Sequence, residues 1–546
     1  METKKTTPPP MPLKGVHIAA RPLPHLPEPL ALFERLTEDG QRPHTVLLES
    51  AEPSSRKTQK SLLVVSSALS VECYGARVVL TALNAQGKAL LPVLEKHFER
   101  FSPQLEEKVL HLRIPVCKGE GGKTSEEGRL KADSCLVVLR ELAALLREAL
   151  PSAPEAVFLA GIFAYDLVEQ FEPLPEAQEE NPFPDCLFYL ADGVVEIDHL
   201  NASAHLWSCT FTPGEDKQAE AEAEALLAKV EAAMAEEEEE EGVPTNVSRQ
   251  ATLEAVTTDM EDEAFAAKVE VLKKHMVGGD LFQIVLSRTF SMPCTQAFEA
   301  YRSLRALNPS PYLFYLRHEA FSLLGASPES SVKVDGKTRR LEISPIAGTR
   351  RRGLRADGSV DADLDSRIEA ELRLDEKENA EHMSLVDLAR NDVARVCKPG
   401  TRHVADLLRT ERYSHVMHLV SRVSGELRDE FDALHAYQAS MNMGTLTGAP
   451  KLKAMQLLRH HERGRRGHYG GAIGYVRGDG SFDTAIVIRA ALVHNGVAHI
   501  RAGAGIVHDS VPLLEAEETR RKAEAVLRAI AMAEAKQQSQ KEKAHV

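Results

Sequence analysis

The hydrophobic positions of the chain follow two different periods along its first 210 residues. Short runs that are apolar at alternating or consecutive positions predict β-strands; they are "SLLVVSSAL", "ARVVLTAL", "CLFYLA", "GVVEI" and "AHLWSCTF". The stretch "CLVVLRELAALLREAL" has apolar residues at the longer period of a helix. This part of the chain therefore predicts a unit of mixed α and β structure.

A segment of different composition, "EDKQAEAEAEALLAKVEAAMAEEEEEEGVP", follows this unit. Its first part predicts an amphipathic helix, whose apolar side is Leu226, Leu227, Val230 and Met234. The next residues, Glu236–Glu241, repel one another and bury nothing, which is typical of a solvated linker and less so of an acidic interaction tail. We place the domain boundary here, with an N-terminal domain at 20–212, an acidic linker at 213–250 and a second domain at 251–535.

The second domain predicts helices, strands and hairpins in close succession. The helix "DEAFAAKVEVLKKHMVGG" ends in two glycines, and the strand "LFQIVLSRTF" follows it. Asp335-Gly336 and Asn495-Gly496 stand between apolar runs and predict two hairpins. Long helices are predicted at about 364–396 and 512–535. Periodicity alone thus predicts an α+β protein with two domains.

Composition narrows the class of protein. The chain has 546 residues with a net charge of −15, so no nucleic-acid partner is expected. The polar, proline-rich start and the lack of a long apolar run predict no signal peptide, no membrane association and a cytoplasmic location. Its seven scattered cysteines include no CxxC pair, so we expect buried free thiols and no zinc site.

The stretch "EISPIAGTRRRG" predicts a loop that holds an anion. Gly348 lets a backbone amide approach, Thr349 offers a hydroxyl, and the arginines Arg350–Arg352 and Arg355 offer charge. Ala347 stands where a nucleophilic side chain could have been. The loop therefore predicts an anion cradle without a nucleophile of its own.

Paired carboxylates occur on two predicted helices. Glu378 and Glu381 share one helix face, Glu515 and Glu518 share another at the same spacing, and Lys522 follows four residues later. Carboxylates from two helices could hold Mg²⁺, which prefers such oxygen ligands. Solvated helix faces with ion pairs are the alternative, and spacing alone favours them.

Other residues carry weaker signals, each with a structural alternative. Gly503 and Gly505 follow a predicted strand and could expose amides to an anion, or form a tight turn. Arg489 lies in an apolar strand, where an internal ion pair and an anionic ligand are equally plausible partners. His418 in an apolar run is more often a core residue than a catalyst, and Glu329 ends a buried-looking strand where carboxylates are uncommon.

Several longer motifs occur together and in order: "LLGASPE", "PIAGTR", "EHMSLVDLARND", "MNMGTLTGAPK", "YGGAIGY", "IRAGAGIV" and "EAEETRRKA". With them the chain, from about residue 40 to 535, resembles the chorismate-utilising enzymes, and among these the large subunits of the anthranilate-forming synthases. The resemblance implies an α+β fold in which two antiparallel sheets form a sandwich-like core with surrounding helices, and a regulatory half packs on a catalytic half.

The resemblance also implies a site. Glu381 and Glu518 would hold Mg²⁺, with Glu378 and Glu515 beside them. The implied chorismate contacts are Gly348, Thr349, Tyr469, Arg489, Gly503, Ala504, Gly505 and Lys522. Glu329 and His418 would transfer protons, with Glu329 as the acid towards the leaving hydroxyl, and Thr349 would also serve catalysis.

The implied reaction adds ammonia at ring carbon 2 while the hydroxyl at carbon 4 leaves, and then eliminates pyruvate to form anthranilate. Aminodeoxychorismate synthases carry a lysine where Ala347 stands, and isochorismate and salicylate synthases carry one where Gln283 stands. This chain has neither lysine, so the nucleophile would come from outside. No amidotransferase segment is recognised, so the family implies a separate glutamine amidotransferase small subunit, in an assembly of two large and two small subunits.

The N-terminal domain resembles the family's regulatory part. "LLESAE" and "NPSPYLF" match its tryptophan feedback site, which would be lined by Ser50, Lys60, Pro311, Tyr312 and Leu313. Leu313 replaces a methionine of similar volume. Two rival functions stay open. The first is an aminodeoxyisochorismate synthase, which the tryptophan-site motifs disfavour. The second is a catalytically idle tryptophan-binding regulator, which the complete set of site residues disfavours.

Overall fold

The computed structural model of the chain describes residues 16–50, 60–116, 125–177, 182–211, 217–235, 253, 255–355, 359–413, 416–462 and 464–544. Two predicted features, the glutamate run Glu236–Glu241 and the thiol of Cys117, lie outside these residues.

Strands make up the centre of the molecule. They are β1 (His17–Pro22), β2 (Thr45–Glu49), β3 (Lys60–Tyr74), β4 (Arg77–Ala82), β5 (Gln104–Glu106), β6 (Val109–Arg113), β7 (Phe158–Phe163), β8 (Cys186–Asp198), β9 (Ser203–Thr210), β10 (Thr257–Thr258), β11 (Gln283–Pro293), β12 (Tyr312–Arg317), β13 (Phe321–Ser327), β14 (Ser330–Asp335), β15 (Arg340–Ile343), β16 (Ile346–Arg351), β17 (His403–Arg412), β18 (Val416–Glu426), β19 (Gly448–Ala449), β20 (Ala472–Arg477), β21 (Phe482–Ile486), β22 (Ala490–His494) and β23 (Val497–Ile506).

Helices of very different length accompany the strands. They are α1 (Pro29–Leu36), α2 (Ala85–His97), α3 (Glu126–Leu130), α4 (Leu136–Ala149), α5 (Lys217–Ala235), α6 (Asp262–Val277), α7 (Ala297–Leu307), α8 (Ala362–Leu374), α9 (Glu376–Val396), α10 (Ala433–Ser440), α11 (Lys451–Glu462) and α12 (Pro512–Ala544). The predicted α+β class is therefore confirmed.

The long strands β3 and β8 pair along almost their whole length, and two antiparallel paths of neighbours lead away from them. One path runs from β8 through β7, β20, β21, β14 and β15 to β18, which also pairs with β16 and β17. The other runs from β3 through β2, β12, β13, β22 and β23 to β11. Strands of the N-terminal segment thus pair with strands of the C-terminal segment at β2–β12 and at β7–β20. The predicted sandwich-like packing and the predicted division into domains remain predictions.

Several predicted elements have different limits in the structure. "CLFYLA" and "GVVEI" form the single strand β8, because both halves pair with β3. The helix predicted at 364–396 is interrupted at Asp375, whose extended backbone ends α8 and whose side chain accepts a hydrogen bond from the Glu378 amide at the start of α9. Asn495-Gly496 forms the predicted hairpin turn with both residues at positive φ, whereas the connection after Asp335 spans residues 336–339.

The predicted amphipathic helix is α5, and its apolar side packs into the molecule. Val230, Leu227 and Met234 belong to the buried cluster that also contains residues of α1 and α7. The Lys229 ammonium donates a hydrogen bond to the Leu36 carbonyl at 2.9 Å. This part of the predicted linker region is therefore attached to the N-terminal segment.

Six of the seven cysteines lie in the described part of the chain, and all six are buried free thiols, as predicted. Among the helices of the described residues, none combines the length and the apolar character that crossing a membrane requires.

Candidate active site

The four glutamates predicted as a metal site come from α9 and α12, which are distant in sequence and adjacent in space. Burial raises the pKa of Glu381, and the negative charges of Glu378, Glu515 and Glu518 raise it further against the opposing effect of Lys377. Burial also raises the pKa of Glu515, with a contribution from Glu518. The structure therefore brings both pairs of carboxylates into one region of high negative charge.

Basic side chains accompany these carboxylates. Glu378 accepts a hydrogen bond from Arg350 at 2.7 Å, Glu518 lies 2.6 Å from the Lys522 ammonium, and Glu381 lies 3.9 Å from that of Lys377. Within the described residues, no three or more histidine, cysteine or acidic side chains are arranged so that they could hold a metal ion together. The donor set is composed of carboxylate oxygens, and it fits a hard divalent cation such as Mg²⁺ in its chemistry.

The predicted anion loop forms β16, which pairs with β18. Gly348 has φ +85°, and a Cβ atom there would lie 3.3 Å from Glu378 Oε2. Thr349 stands opposite His418, and its Oγ1 lies 2.9 Å from His418 Nδ1. Burial lowers the pKa of His418 to about 4, with a smaller contribution from the charge of Arg489. His418 is therefore neutral at physiological pH, and its Nδ1 interacts with the hydroxyl of Thr349.

The arginines of this loop do not form the predicted cradle. Arg350 binds Asp375 and Glu378, both at 2.7 Å, and Arg352 binds the two oxygens of Asp365 at 2.8 and 3.0 Å. The prediction was wrong for these two side chains, because acidic residues of α8, of α9 and of the link between the two helices pair with them.

Arg489 interrupts the strand predicted from "TAIVIRAAL". It lies between β21 and β22 with φ +51°, and one of its terminal nitrogens donates to the Lys522 carbonyl at 2.8 Å. Burial lowers its pKa, and among the described residues no carboxylate forms an ion pair with it. Of the two partners that the sequence left open, the internal ion pair is therefore not formed in the described chain.

Gly503 and Gly505 lie within β23 and not in a loop after it, because the pairing with β11 continues past them. A Cβ atom at Gly503 would lie 2.8 Å from the Tyr469 hydroxyl, and one at Gly505 would lie 3.3 Å from Gln283 Nε2. Ala504, between them, is fully buried opposite Leu286. Because glycine has no side chain, Gly503 leaves room for the Tyr469 hydroxyl and Gly505 leaves room for the Gln283 amide.

Lys522 joins several of these residues. Its ammonium donates to the Gly503 carbonyl at 2.9 Å and lies beside Glu518, while its carbonyl accepts from Arg489. The charges of Arg489 and Glu518 influence each other, and Tyr469 lies within reach of both Gly503 and Arg489. The structure thus brings the basic Arg489 and Lys522 together with the acidic Glu518 in one neighbourhood.

Glu329 lies between β13 and β14 and is 8% exposed. It lines a small cavity together with Ser330, Ser344 and Asp392, and with Leu385 of α9, one turn after Glu381. The predicted position at the end of a buried strand is confirmed.

An ion cluster behind Tyr469 was not predicted. Glu462 binds Arg466 and Arg501 at 2.7 and 2.9 Å and accepts from the Ser287 amide at 2.8 Å, and the Arg466 guanidinium lies 5.7 Å from the Tyr469 ring centroid. Glu462 ends α11 and Arg466 follows it, but Arg501 lies in β23 and Ser287 in β11, so no local sequence signal could have identified the cluster.

The residues predicted to bind tryptophan come from three adjacent strands. Leu313 of β12 pairs with Glu49 of β2, and Leu48 of β2 pairs with Leu62 of β3. This register, continued to the strand ends, brings Ser50 level with Tyr312 on one side and Lys60 on the other. Pro311 directly precedes β12.

Of the two polar side chains at these strand ends, Lys60 has charged partners and Ser50 has no hydrogen-bond partner among the described residues. The Ser50 hydroxyl is buried with no hydrogen-bond partner among the described residues. The Lys60 ammonium lies 2.7 Å from Glu196 and 3.8 Å from Asp198. A buried polar group without a partner is unusual in a folded protein, and a ligand is one way to satisfy it.

Comparison with known proteins supports a single family. Residues 114–528 match the sequence profile of a family described as "chorismate binding enzyme". The chain is 49% identical over 512 residues to anthranilate synthase component 1 of Vibrio cholerae, covering 93% of this chain and 95% of that protein. It is 48% identical to anthranilate synthase component 1 of Escherichia coli, covering 92% and 95%. Among solved structures, anthranilate synthase component I from Streptococcus pneumoniae matches with a TM-score of 0.63 and 26% identity, covering 87% of this chain and 93% of that one.

Proposed function

This chain belongs to the chorismate-binding enzymes and, within them, to the anthranilate synthase component 1 proteins, and from this premise we propose how its residues act. We propose that it converts chorismate and ammonia into anthranilate, pyruvate and water, as the large subunit of a two-component lyase in tryptophan biosynthesis.

The observation that carries this proposal is that a half-buried arginine, Arg489, lies next to the acidic helix α12 without pairing with its carboxylates. Chorismate has two carboxylates, and Arg489 is a half-buried arginine without a carboxylate partner in the described chain. Arginine binds carboxylates through directed, charge-assisted hydrogen bonds, so this side chain suits one carboxylate of the substrate. Tyr469 and the backbone of Gly503 to Gly505 lie on the same side and would complete the contact.

Glu381 and Glu518 would hold Mg²⁺, with Glu378 and Glu515 beside them. The bound cation would neutralise the second carboxylate of chorismate and the crowded glutamates together. Lys522 and Lys377, which now lie beside Glu518 and Glu381, would turn towards other partners.

Two groups would make the proton transfers, the buried Glu329 and the half-buried His418. Glu329 would donate a proton to the leaving hydroxyl at ring carbon 4, as ammonia adds at carbon 2. His418 is neutral, and its contact with Thr349 holds the ring in place, so it can accept a proton in the later elimination of pyruvate. Gly348 and Thr349 would contact the substrate from β16.

The nucleophile would come from a partner. Ala347 and Gln283 stand where related enzymes carry lysines, and neither can attack the ring or activate water for that purpose. The name "component 1" of the relatives implies a second component. We propose a glutamine amidotransferase small subunit as the source of ammonia, in an assembly of two large and two small subunits.

Feedback by tryptophan is proposed for the strand ends of β2, β3 and β12. Ser50, Lys60, Pro311, Tyr312 and Leu313 would line the site. The Ser50 hydroxyl, which has no hydrogen-bond partner among the described residues, supports a polar ligand there. Lys60 already lies beside two carboxylates, which supports its role in binding the carboxylate of an amino acid.

The test is to incubate the purified chain with chorismate, MgCl₂ and an ammonium salt at mildly alkaline pH, and to follow anthranilate fluorescence with and without tryptophan. We expect fluorescence that requires Mg²⁺ and falls when tryptophan is added. Chorismate consumed without anthranilate would instead indicate an aminodeoxyisochorismate synthase. If nothing is consumed even after the small subunit and glutamine are added, the chain is an idle regulator.

A further inference from the structure

The backbone at Gly348 interrupts the regular pairing of β16 with β18. Ala347 pairs with Leu419 and Thr349 pairs with His418, so Gly348 is an extra residue on β16. Such a β-bulge disrupts the ladder locally, and the φ of +85° at Gly348 is one that glycine adopts without strain. The bulge is therefore the point at which the ladder fixes β16 least.

His382 of α9 binds the backbone of this bulge. It follows Glu381 directly and lies four residues after Glu378, with which it shares a helix face. Its imidazole is completely buried, and Nδ1 lies 3.3 Å from the carbonyl oxygen of Ala347. A carbonyl oxygen only accepts hydrogen bonds, so Nδ1 carries the hydrogen and donates it. This contact joins the helix of the proposed metal carboxylates to the bulge.

The other ring nitrogen of His382 is held by Ser421 of β18. Nε2 lies 2.7 Å from Ser421 Oγ, which also accepts a hydrogen bond from the Leu408 amide at 2.9 Å. Because that amide already supplies one hydrogen to the oxygen, the hydrogen of the hydroxyl itself can point to Nε2. Donors and acceptors then match along the whole series, from the Leu408 amide through Ser421 and the imidazole to the Ala347 carbonyl. The contacts thus select one tautomer and one orientation of the ring.

The direction of the Ala347 carbonyl determines the direction of the Gly348 amide. The peptide bond between the two residues is trans, and in a trans peptide the C=O and N–H groups point in opposite directions. With the carbonyl bound to His382, the Gly348 N–H is directed away from this imidazole. Gly348 and Thr349 are the proposed chorismate contacts of β16, so a rotation of this peptide group would change what the strand offers to the substrate.

We propose that His382 is a positioning residue for chorismate binding, which holds the peptide group between Ala347 and Gly348 by donating a hydrogen bond from Nδ1 to the Ala347 carbonyl. The inference rests on the proposed function, because it requires that β16 contacts chorismate. The imidazole is completely buried and acts through the backbone, without touching the substrate. It also keeps the bulge in register with Glu378, whose Oε2 lies 3.3 Å from the place of a Cβ atom at Gly348.

The experiment compares H382N and H382Q in the full chain with MgCl₂ and ammonium salt. The two variants carry the same amide group and differ by one methylene. The amide nitrogen of asparagine is bonded to Cγ, as Nδ1 is, so it can donate to the Ala347 carbonyl. That of glutamine lies one atom further out and reaches Ser421 instead. We expect H382Q to raise the KM for chorismate at least about tenfold, and H382N to keep it within about threefold of the unmodified chain.

The separation of KM from kcat distinguishes positioning from packing. Both variants remove an aromatic ring from a buried site, and we expect urea denaturation to show similar losses of stability. A smaller folded fraction lowers the apparent kcat and leaves KM unchanged. Equal KM values for chorismate in H382N and H382Q would therefore overturn the proposal, whatever the stability of the two variants.

The tautomer of His382 provides a second measurement if H382Q does not fold. Heteronuclear NMR of the unmodified, histidine-labelled chain, with the signal assigned by its loss in H382N, shows which ring nitrogen carries the hydrogen. We expect Nδ1; a hydrogen on Nε2 alone would overturn the proposal, since the ring would then have nothing to donate to Ala347. An unmodified chain that forms no anthranilate would overturn the proposed function, and an Nδ1 tautomer would then still support the contact with the bulge, so the two failures are distinct.

Discussion

The Oγ1 atom of Thr349 lies 2.9 Å from Nδ1 of His418, across two paired strands. This contact fixes the orientation of an imidazole that burial keeps neutral. We expect Thr349→Val to lower kcat by about 10- to 100-fold, because the ring loses its orienting partner, and Thr349→Ser to restore most of the rate. The initial rate of anthranilate formation with ammonium salt measures both.

Thr410→Val is the matched control for this pair. Thr410 also stands opposite β18, where it pairs with Leu419, and it lies on β17, which supplies none of the proposed substrate contacts. The same exchange of hydroxyl for methyl should leave kcat within about twofold. Equal losses in both variants would mean that the hydroxyl of Thr349 only supports the sheet.

Arg489→Met tests whether the half-buried guanidinium binds a ligand. Because the side chain has no carboxylate partner in the described chain, its removal should change the free energy of unfolding by less than about 1 kcal/mol. Methionine keeps the apolar stem and is as constrained as arginine at positive φ. The KM for chorismate should rise about 10- to 100-fold, which is the loss of a charge-assisted hydrogen bond.

The opposite behaviour is expected for Arg477→Met. The guanidinium of Arg477 is bonded to Glu196 at 2.9 Å, and both side chains are largely buried. Its loss removes one of the two basic partners of Glu196, the other being Lys60, and should cost about 2 kcal/mol of stability. If Arg489→Met destabilised the protein equally, Arg489 would be a structural residue and not a ligand contact. Urea denaturation of the two variants decides this.

Much of the fold could be predicted from periodicity, because the strands β3, β9 and β11 have alternating or continuous apolar residues that identify a strand locally. The i, i+3 spacing also predicted that Glu378 and Glu381 share a face. Local patterns carry no information on distant partners, however. They could not show that α9 and α12 meet, that Arg350 pairs with Asp375, or that Glu462 is neutralised by Arg501 from β23. The interruption at Arg489 was missed because an apolar run with one charge has the composition of a strand, whatever its φ.

Gly503 and Gly505 should differ in their tolerance of a side chain. A Cβ atom at Gly503 would lie 2.8 Å from the Tyr469 hydroxyl and 2.9 Å from the Leu286 carbonyl, which is fixed in β11. We expect Gly503→Ala to cost about 1–3 kcal/mol of stability and most of the activity. At Gly505 the nearest atom is the amide nitrogen of Gln283 at 3.3 Å, and this side chain can move. Gly505→Ala should therefore cost less than about 1 kcal/mol. Melting temperatures that rank the variants in the reverse order would contradict this geometry.

Glu462 predicts a dependence of stability on pH. Its two arginine partners outweigh the effect of burial and lower its pKa from 4.5 to about 2. A carboxylate with a depressed pKa in the folded state stabilises it fully above the unfolded pKa, and loses this effect as the pH falls through the folded pKa. The contribution is about 3 kcal/mol, and it should disappear between about pH 4.5 and pH 2.

The variant Glu462→Gln checks this pH dependence. At pH 7 it should be less stable than the unmodified chain by about 3 kcal/mol, because Arg466 and Arg501 lose their counter-charge. The difference should shrink as urea denaturation is repeated at lower pH, down to about pH 3. Glu430→Gln, an exposed carboxylate on the surface, should show no such convergence. A difference that stays constant with pH would mean that the pKa of Glu462 is not depressed.

The proposed Mg²⁺ site predicts a graded metal requirement. The Glu381 carboxylate lies 3.9 Å from its nearest basic neighbour, whereas that of Glu378 is hydrogen-bonded to Arg350 at 2.7 Å. Mg²⁺ has to displace less at Glu381, so Glu381→Gln should raise the MgCl₂ concentration for half-maximal activity more than Glu378→Gln does, by at least about tenfold. Glu517→Gln removes an exposed charge from α12, between the two proposed ligands there, and should shift this concentration by less than about twofold. Activity that survives EDTA in the unmodified chain, or equal shifts in Glu381→Gln and Glu517→Gln, would mean that the cation is not held by these helices, and the four carboxylates would then be only a solvated acidic surface.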